Sequence, residues 1–85
     1  MKTDKKDQII LYGTNWCGET RRARRFLDEH DIHYQFIDID ENKSGEKFVR
    51  DANHGARSVP TIVFPDGTIL TEPDERTLAK KCGIC

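Results

Sequence analysis

The sequence predicts a single α/β domain over residues 1–85 whose elements run βαβαββα. Three observations carry this reading. An amphipathic helical pattern stands between two short β-rich runs, two further β-branched runs are joined by a Pro-Asp-Gly turn, and a proline-led helical segment closes the chain. A chain of 85 residues has room for one hydrophobic core and not for two.

The first strand is expected over Gln8–Gly13, where Ile9, Ile10, Leu11 and Tyr12 form an apolar run ended by glycine, after a charged leader over residues 1–7. From Cys17 to His30 the period changes: Ala23, Phe26 and Leu27 fall three and four apart, while Arg21, Arg22, Arg24 and Arg25 take mostly other faces. The next strand, His33–Asp40, carries Tyr34, Phe36, Ile37 and Ile39. Two strands connected through a helix pair in parallel with a right-handed crossover. A weaker helix over Asn42–Asn53 has Phe48, Val49 and Ala52 as its apolar stripe, Gly45 inside it, and Asn53-His54-Gly55 as its stop. The runs Val59–Phe64 and Thr68–Thr71 flank Pro65-Asp66-Gly67 and read as an antiparallel hairpin. Pro73 then opens the closing helix, with Thr71 as N-cap, Leu78 and Ala79 as apolar contacts and Gly83 as the end.

Fourteen basic residues face fifteen acidic ones, a net charge of −1, which gives no general attraction to nucleic acid or to an anionic membrane. No apolar stretch approaches the roughly 20 residues that span a bilayer, and residues 1–7 lack the apolar segment of a secretory signal. A cytoplasmic location is expected. Three cysteines, Cys17, Cys82 and Cys85, are too few and odd in number for a secreted disulfide scaffold. In a reducing compartment such cysteines are reactive, metal-bound or buried.

A strand, then Tyr12-Gly-Thr-Asn-Trp-Cys-Gly-Glu-Thr20, then a helix, then Ser58-Val-Pro-Thr61 resembles the glutaredoxin pattern in order and spacing over nearly the whole chain. Within that family, Phe64-Pro-Asp-Gly-Thr-Ile-Leu-Thr-Glu-Pro-Asp74 is similar to the hairpin and last-helix entry of the mycoredoxin-type small redoxins. The resemblance implies the thioredoxin fold, a four-stranded mixed sheet flanked by three helices. It places the reactive cysteine at the N-terminus of the first helix, beside a cis Val59-Pro60 bond. It implies a thiol–disulfide oxidoreductase acting on protein mixed disulfides, with a low-molecular-weight thiol such as glutathione or mycothiol as co-substrate and no tightly bound cofactor or metal. Electrons then come from the small thiol or from a flavoprotein reductase, and the protein is a monomer, with a disulfide-linked dimer as the other state to consider.

Two departures from the family pattern shape the expected chemistry. The second cysteine of the common dithiol loop is replaced by Thr20, which leaves Cys17 as a lone nucleophile in Cys17-Gly-Glu-Thr20. The usual Gly-Gly and Asp of the glutathione site are replaced by Thr71-Glu72 before Pro73-Asp74. A carboxylate at Glu72 opposes the carboxylate of a tripeptide thiol and disfavours a neutral sugar thiol less.

The attacking species in disulfide exchange is the thiolate, and a helix N-terminus favours it at Cys17 through free backbone N–H groups and the helix dipole. Arg21 and Arg22, one turn along, add positive charge that Glu19 opposes, and Arg22 is placed at the substrate, with a solvated helix face as the alternative. Two roles fit Thr20: an ordinary first-turn residue, or a hydroxyl bonded to the Cys17 sulfur. In the family role, the Ser58, Val59 and Pro60 segment offers the Val59 backbone to an extended thiol peptide by strand addition. Tyr12 and Trp16 line the same groove, Tyr12 fitting the core equally well. Thr71 and Asp74 are placed at the small-thiol site, with plain helix capping as the alternative for Asp74.

Cys82-Gly-Ile-Cys85 has the spacing of an accessory redox pair or half a zinc site, and His30, His33 and His54 show no ligand spacing to complete the latter. The closing helix starts near the active site and runs away for roughly 13 Å, so a direct Cys17 to Cys82 bridge requires local unfolding. The pair is left as a disulfide of its own, a link to a second molecule, or an unpaired tail. Two other functions remain open beside monothiol exchange. One is a carrier of a [2Fe–2S] cluster held by Cys17 and a small thiol from each of two subunits, which colour after anaerobic reconstitution distinguishes. The other is a redoxin fed by thioredoxin reductase with Cys82 and Cys85 supplying the second thiol, which turnover without any small thiol distinguishes.

Overall fold

The strand β1 (Ile9–Gly13) sits inside the sheet and organises the chain around it in a computed structural model that describes residues 8–83. The expected leader over residues 1–7 and Cys85 lie outside the described residues. The remaining elements follow as α1 (Gly18–Glu29), β2 (Tyr34–Asp38), α2 (Lys43–Ala52), β3 (Thr61–Val63), β4 (Ile69–Thr71) and α3 (Glu75–Lys81). The sheet order is β2-β1-β3-β4; β1 pairs with β2 in parallel and with β3 antiparallel, and β3 pairs antiparallel with β4. This is the predicted βαβαββα order and a four-stranded mixed sheet with three helices, a thioredoxin-type fold.

Side chains alternate across a strand, so each transverse row belongs to one face. Phe36, Leu11, Ile62 and Leu70 lie in register across the four strands. That row faces α1 and α3, where Leu11, Ala23, Phe26, Leu27, Ile62, Phe64 and Leu78 form the main core. Full burial of each large aliphatic or aromatic member contributes about 1.5–3 kcal/mol. The adjacent row, Ile37, Tyr12, Thr61 and Thr71, belongs to the opposite face, where the Tyr12 ring stacks on Phe48 of α2 at 4.7 Å between centroids.

Gly45 explains how α2 comes so close. A Cβ there would stand 2.9 Å from Ile37 Cγ2 and 3.4 Å from Tyr12 Cδ2, so the residue that weakens the helix by about 1 kcal/mol also permits its packing. The start of α2 is secured by Asn42, whose side chain accepts from the Gly45 N–H at 2.7 Å. At the hairpin, Gly67 takes φ +90° and donates its N–H to Phe64 O at 2.8 Å, as the Pro-Asp-Gly turn requires.

One boundary differs from expectation. The N-cap of α3 is Asp74, which accepts from the Thr77 N–H at 2.8 Å, and not Thr71. Thr71 ends β4 in register with Thr61, and its hydroxyl is turned toward α2, donating to Asn53 Oδ1 at 2.8 Å. The chain reverses at Glu72, with φ +52°, before Pro73 leads into the helix. No helix among the described residues is long and apolar enough to cross a membrane.

Candidate active site

Three segments meet beyond the C-terminal end of β1. Cys17 is the N-cap of α1, with φ −82° and ψ 125°, and among the described residues no side-chain capping bond is made there. The unpaired N–H groups of the first turn therefore remain available to a negative charge at the sulfur. The half-buried Cys17 Sγ lies 4.0 Å from the carbonyl oxygen of Val59. The Val59-Pro60 bond is cis, and the buried Pro60 in turn accepts at its carbonyl from the Glu72 N–H at 2.8 Å. Ser58 supports this loop from inside: its carbonyl accepts from the Thr61 hydroxyl at 2.7 Å.

A polar network ties the loop before Cys17 to the end of β2. Trp16 is 69% exposed, yet its indole N–H donates to Asp40 Oδ2 at 2.8 Å. Arg57 donates to the other Asp40 oxygen at 2.5 Å and lies 3.5 Å from Glu46. The Arg57 guanidinium and then the Trp16 N–H hold the Asp40 carboxyl below the usual carboxylate range. Asn15 donates to Asp38 Oδ2 at 3.1 Å and accepts from Arg24 Nη1 at 3.2 Å, with the Arg24 guanidinium 4.0 Å over the Phe36 ring.

A cleft of about 180 Å³ opens between the first turns of α1, the helix that Cys17 caps, and the start of α3. Arg22 lines it together with four carboxyl side chains, Glu19, Glu72, Asp74 and Glu75. Asp74 thus faces the cleft while its own oxygen is used by the Thr77 N–H, which also keeps its carboxyl below the usual range. Glu72 occupies the left-handed region that glycine adopts freely, and its carboxylate stands at the cleft in place of bare backbone.

The structure brings Cys17, Trp16, Ser58, Val59 and Pro60 together, with Arg22 and Asp74 in the cleft between α1 and α3. Three further expected site residues make contacts of their own within the fold. Thr20 is fully buried, and its Cγ2 would lie 2.6 Å from a Cβ placed on Gly13. Its hydroxyl has no hydrogen-bond partner among the described residues, so it packs under β1 and makes no bond to the Cys17 sulfur. The half-buried Tyr12 ring stacks on Phe48, and burial raises its phenol pKa. Thr71 is on the α2 face, bonded to Asn53.

Cys82 occupies the opposite end of the sheet. It is the C-cap of α3, packs against the main core, and shares a groove with Ile9, Ile32 and Phe64. Burial raises its thiol pKa, with Lys81 acting in the other direction. Ile9 begins β1 and Cys17 lies past its end, and a five-residue strand at about 3.3 Å per residue separates the two thiols by more than ~13 Å.

Asp40, Arg57 and Asn53 were not singled out from sequence. Asp40 sits just past the apolar run of a parallel strand, a position where sites form in α/β sheets, and Arg57 immediately precedes Ser58-Val-Pro-Thr61. By sequence Asn53 is a helix stop, and in the fold its side chain also joins Val49 O, Thr61 Oγ1 and Thr71 Oγ1.

The glutaredoxin family model matches residues 9–69. A Mycobacterium tuberculosis protein named as a glutaredoxin is 40% identical over 65 residues, which cover 76% of this chain and 77% of that protein. Mycoredoxin 1 of Corynebacterium glutamicum is 35% identical over 65 residues, covering 76% and 80%. Among solved structures, a glutaredoxin from Archaeoglobus fulgidus superposes with a TM-score of 0.75 at 22% identity, covering 94% of each chain. The matched span runs from β1 through the cysteine loop and the cis-proline turn into β4, and the chain belongs to the glutaredoxin family of thiol–disulfide oxidoreductases.

Proposed function

We propose that this protein reduces mixed disulfides between cytoplasmic proteins and a small sugar thiol of the mycothiol type, by a monothiol mechanism at Cys17. The Cys17 thiolate attacks the small-thiol sulfur of the mixed disulfide. The S–S bond breaks, the protein thiolate leaves and takes a proton from solvent, and Cys17 is left disulfide-bonded to the small thiol. The thiolate of a second small-thiol molecule attacks the sulfur of that bound thiol, releasing Cys17 as thiolate and carrying both electrons' worth of oxidation away as the small-thiol disulfide.

The observation that carries the monothiol reading is the surroundings of Cys17. The family's second thiol position holds Thr20, buried under Gly13, and the other described thiol, Cys82, stands at the far end of β1. The choice of thiol is supported by the carboxylates Glu19, Glu72, Asp74 and Glu75 around the cleft, which repel the carboxylates of glutathione more than an uncharged sugar. The relative named mycoredoxin 1 supports it as well.

The test is a parallel assay. A cysteine peptide is supplied as its mixed disulfide with mycothiol, glutathione or bacillithiol, each with the matching free thiol, and separately with thioredoxin reductase and NADPH. The expected result is fastest turnover with mycothiol and none by Cys17→Ser. Turnover driven by the reductase alone contradicts the proposal.

A further inference from the structure

Asp40 is the most connected polar group at the active end of the sheet. Its two carboxylate oxygens accept from the Trp16 indole at 2.8 Å and from Arg57 at 2.5 Å, and its backbone N–H donates to Asp38 Oδ1 at 2.9 Å. Asp38 in turn accepts from Asn15. These contacts join two segments about forty residues apart in the chain. One is the loop of Asn15 and Trp16 that delivers Cys17; the other begins at Arg57 and delivers the Val59 carbonyl and Pro60. Both partners of the sulfur's surroundings are therefore tied to the same carboxylate.

The state of Trp16 shows why such a tie matters. Its ring is 69% exposed, so packing does little to fix it, and the indole N–H is its only polar handle. A charge-assisted bond to Asp40 sets the ring orientation, and Arg57 keeps Asp40 ionised and in place. The exchange itself makes and breaks bonds only between sulfurs. Their effect must fall on where the substrate sits.

We propose that Asp40 and Arg57 are positioning residues of the disulfide exchange: through Asp40 they hold the Trp16 ring and the Val59 loop as the two walls of a preformed groove for the mixed disulfide. The inference rests on the exchange assigned to Cys17 above. It makes Asp40 and Arg57 determinants of KM and leaves the chemical step to the sulfur atoms.

Trp16 is the chain's one tryptophan, so its fluorescence reports on the groove directly. Asp40→Ala is expected to lower the steady-state anisotropy of Trp16 and to raise KM for a peptide–mycothiol mixed disulfide about fivefold with kcat unchanged, the worth of one ordinary hydrogen bond. Arg57→Ala should change both readings in the same direction and less. Asp40→Asn, which keeps an acceptor, should restore most of the anisotropy. Trp16→Phe keeps the ring and removes the N–H, so it should reproduce the KM increase, and combining it with Asp40→Ala should add nothing further. Because Trp16→Phe alters no charge, it carries the test if Asp40→Ala fails to fold. Lys47→Ala, which breaks an exposed ion pair on α2, should leave KM unaltered.

Wild-type anisotropy and KM in Asp40→Ala would overturn the proposal, as would additive KM increases in the double variant. A wild-type protein that turns over none of the mixed disulfides would remove the assignment at Cys17, and the anisotropy of Asp40→Ala would still decide whether Asp40 orients Trp16.

Discussion

The two ends of β1 each hold a thiol, and the polypeptide treats them differently. Cys17 sits at the N-cap of a twelve-residue helix with uncapped N–H groups, half-exposed, against a backbone carbonyl beside a cis-proline. Cys82 sits at the C-terminal end of a seven-residue helix, where the dipole is negative, and packs against the main core. One end leaves a sulfur open at a helix N-terminus. The other is built to keep a sulfur neutral. Reactivity here follows from the ends of helices and the faces of a sheet more than from cysteine itself.

The largest expected difference is in chemical modification. Limiting iodoacetamide at neutral pH should label Cys17 well before Cys82, as read by peptide mass mapping. Because burial raises the Cys82 pKa, its labelling should lag that of the denatured chain and catch up only as pH rises past the ordinary thiol range. Equal labelling of the two would erase the contrast.

A smaller effect is expected at the cleft between α1 and α3. Glu72→Gly removes a carboxylate from the cleft and relaxes φ +52°, so turnover with glutathione should rise relative to mycothiol. The relief of a left-handed residue is offset by the entropy of glycine, leaving a net stability change under about 1 kcal/mol. Unchanged thiol preference would mean that the cleft carboxylates do not select.

Thr20→Val sharpens the account of the lone nucleophile. The hydroxyl is buried without a partner among the described residues, so replacing it with a methyl should stabilise the fold by about 1 kcal/mol and leave activity intact. A loss of activity would show that the hydroxyl serves the thiolate after all. The smallest effect belongs to the Cys82 end, where Lys81 and then Thr68 hold the Asp66 carboxyl well below the usual range. A depressed pKa contributes stability above the ordinary carboxyl value and loses it as pH falls. The slight excess in melting temperature of wild type over Asp66→Asn should therefore shrink below about pH 4, and also with added salt.

The order of elements was legible because its signals are local. Asn53-His54-Gly55 stops α2 and Pro65-Asp66-Gly67 turns the hairpin, with positive φ at Gly55 and Gly67, both signals carried by residue type. Cys17 was legible for the same reason, as a cysteine at a strand-to-helix junction. Thr20, Tyr12 and Thr71 were not, because their roles depend on which face of the sheet each helix covers. Alternation separates Tyr12 from Leu11 but does not say that α2 lies over Tyr12. The bond between Asp40 and Arg57 spans a whole helix and a loop, and no spacing rule connects two such residues.

The central claim is that Cys17 completes the catalytic cycle with an outside thiol and without the Cys82 and Cys85 pair. The most direct measurement is turnover of the peptide–mycothiol mixed disulfide by the double variant Cys82→Ser, Cys85→Ser, in which Cys17 is the one sulfur left to react. The account predicts a rate equal to wild type at saturating mycothiol. A Cys17–small-thiol adduct that accumulates and is not turned over would contradict it and assign the second thiol to the tail.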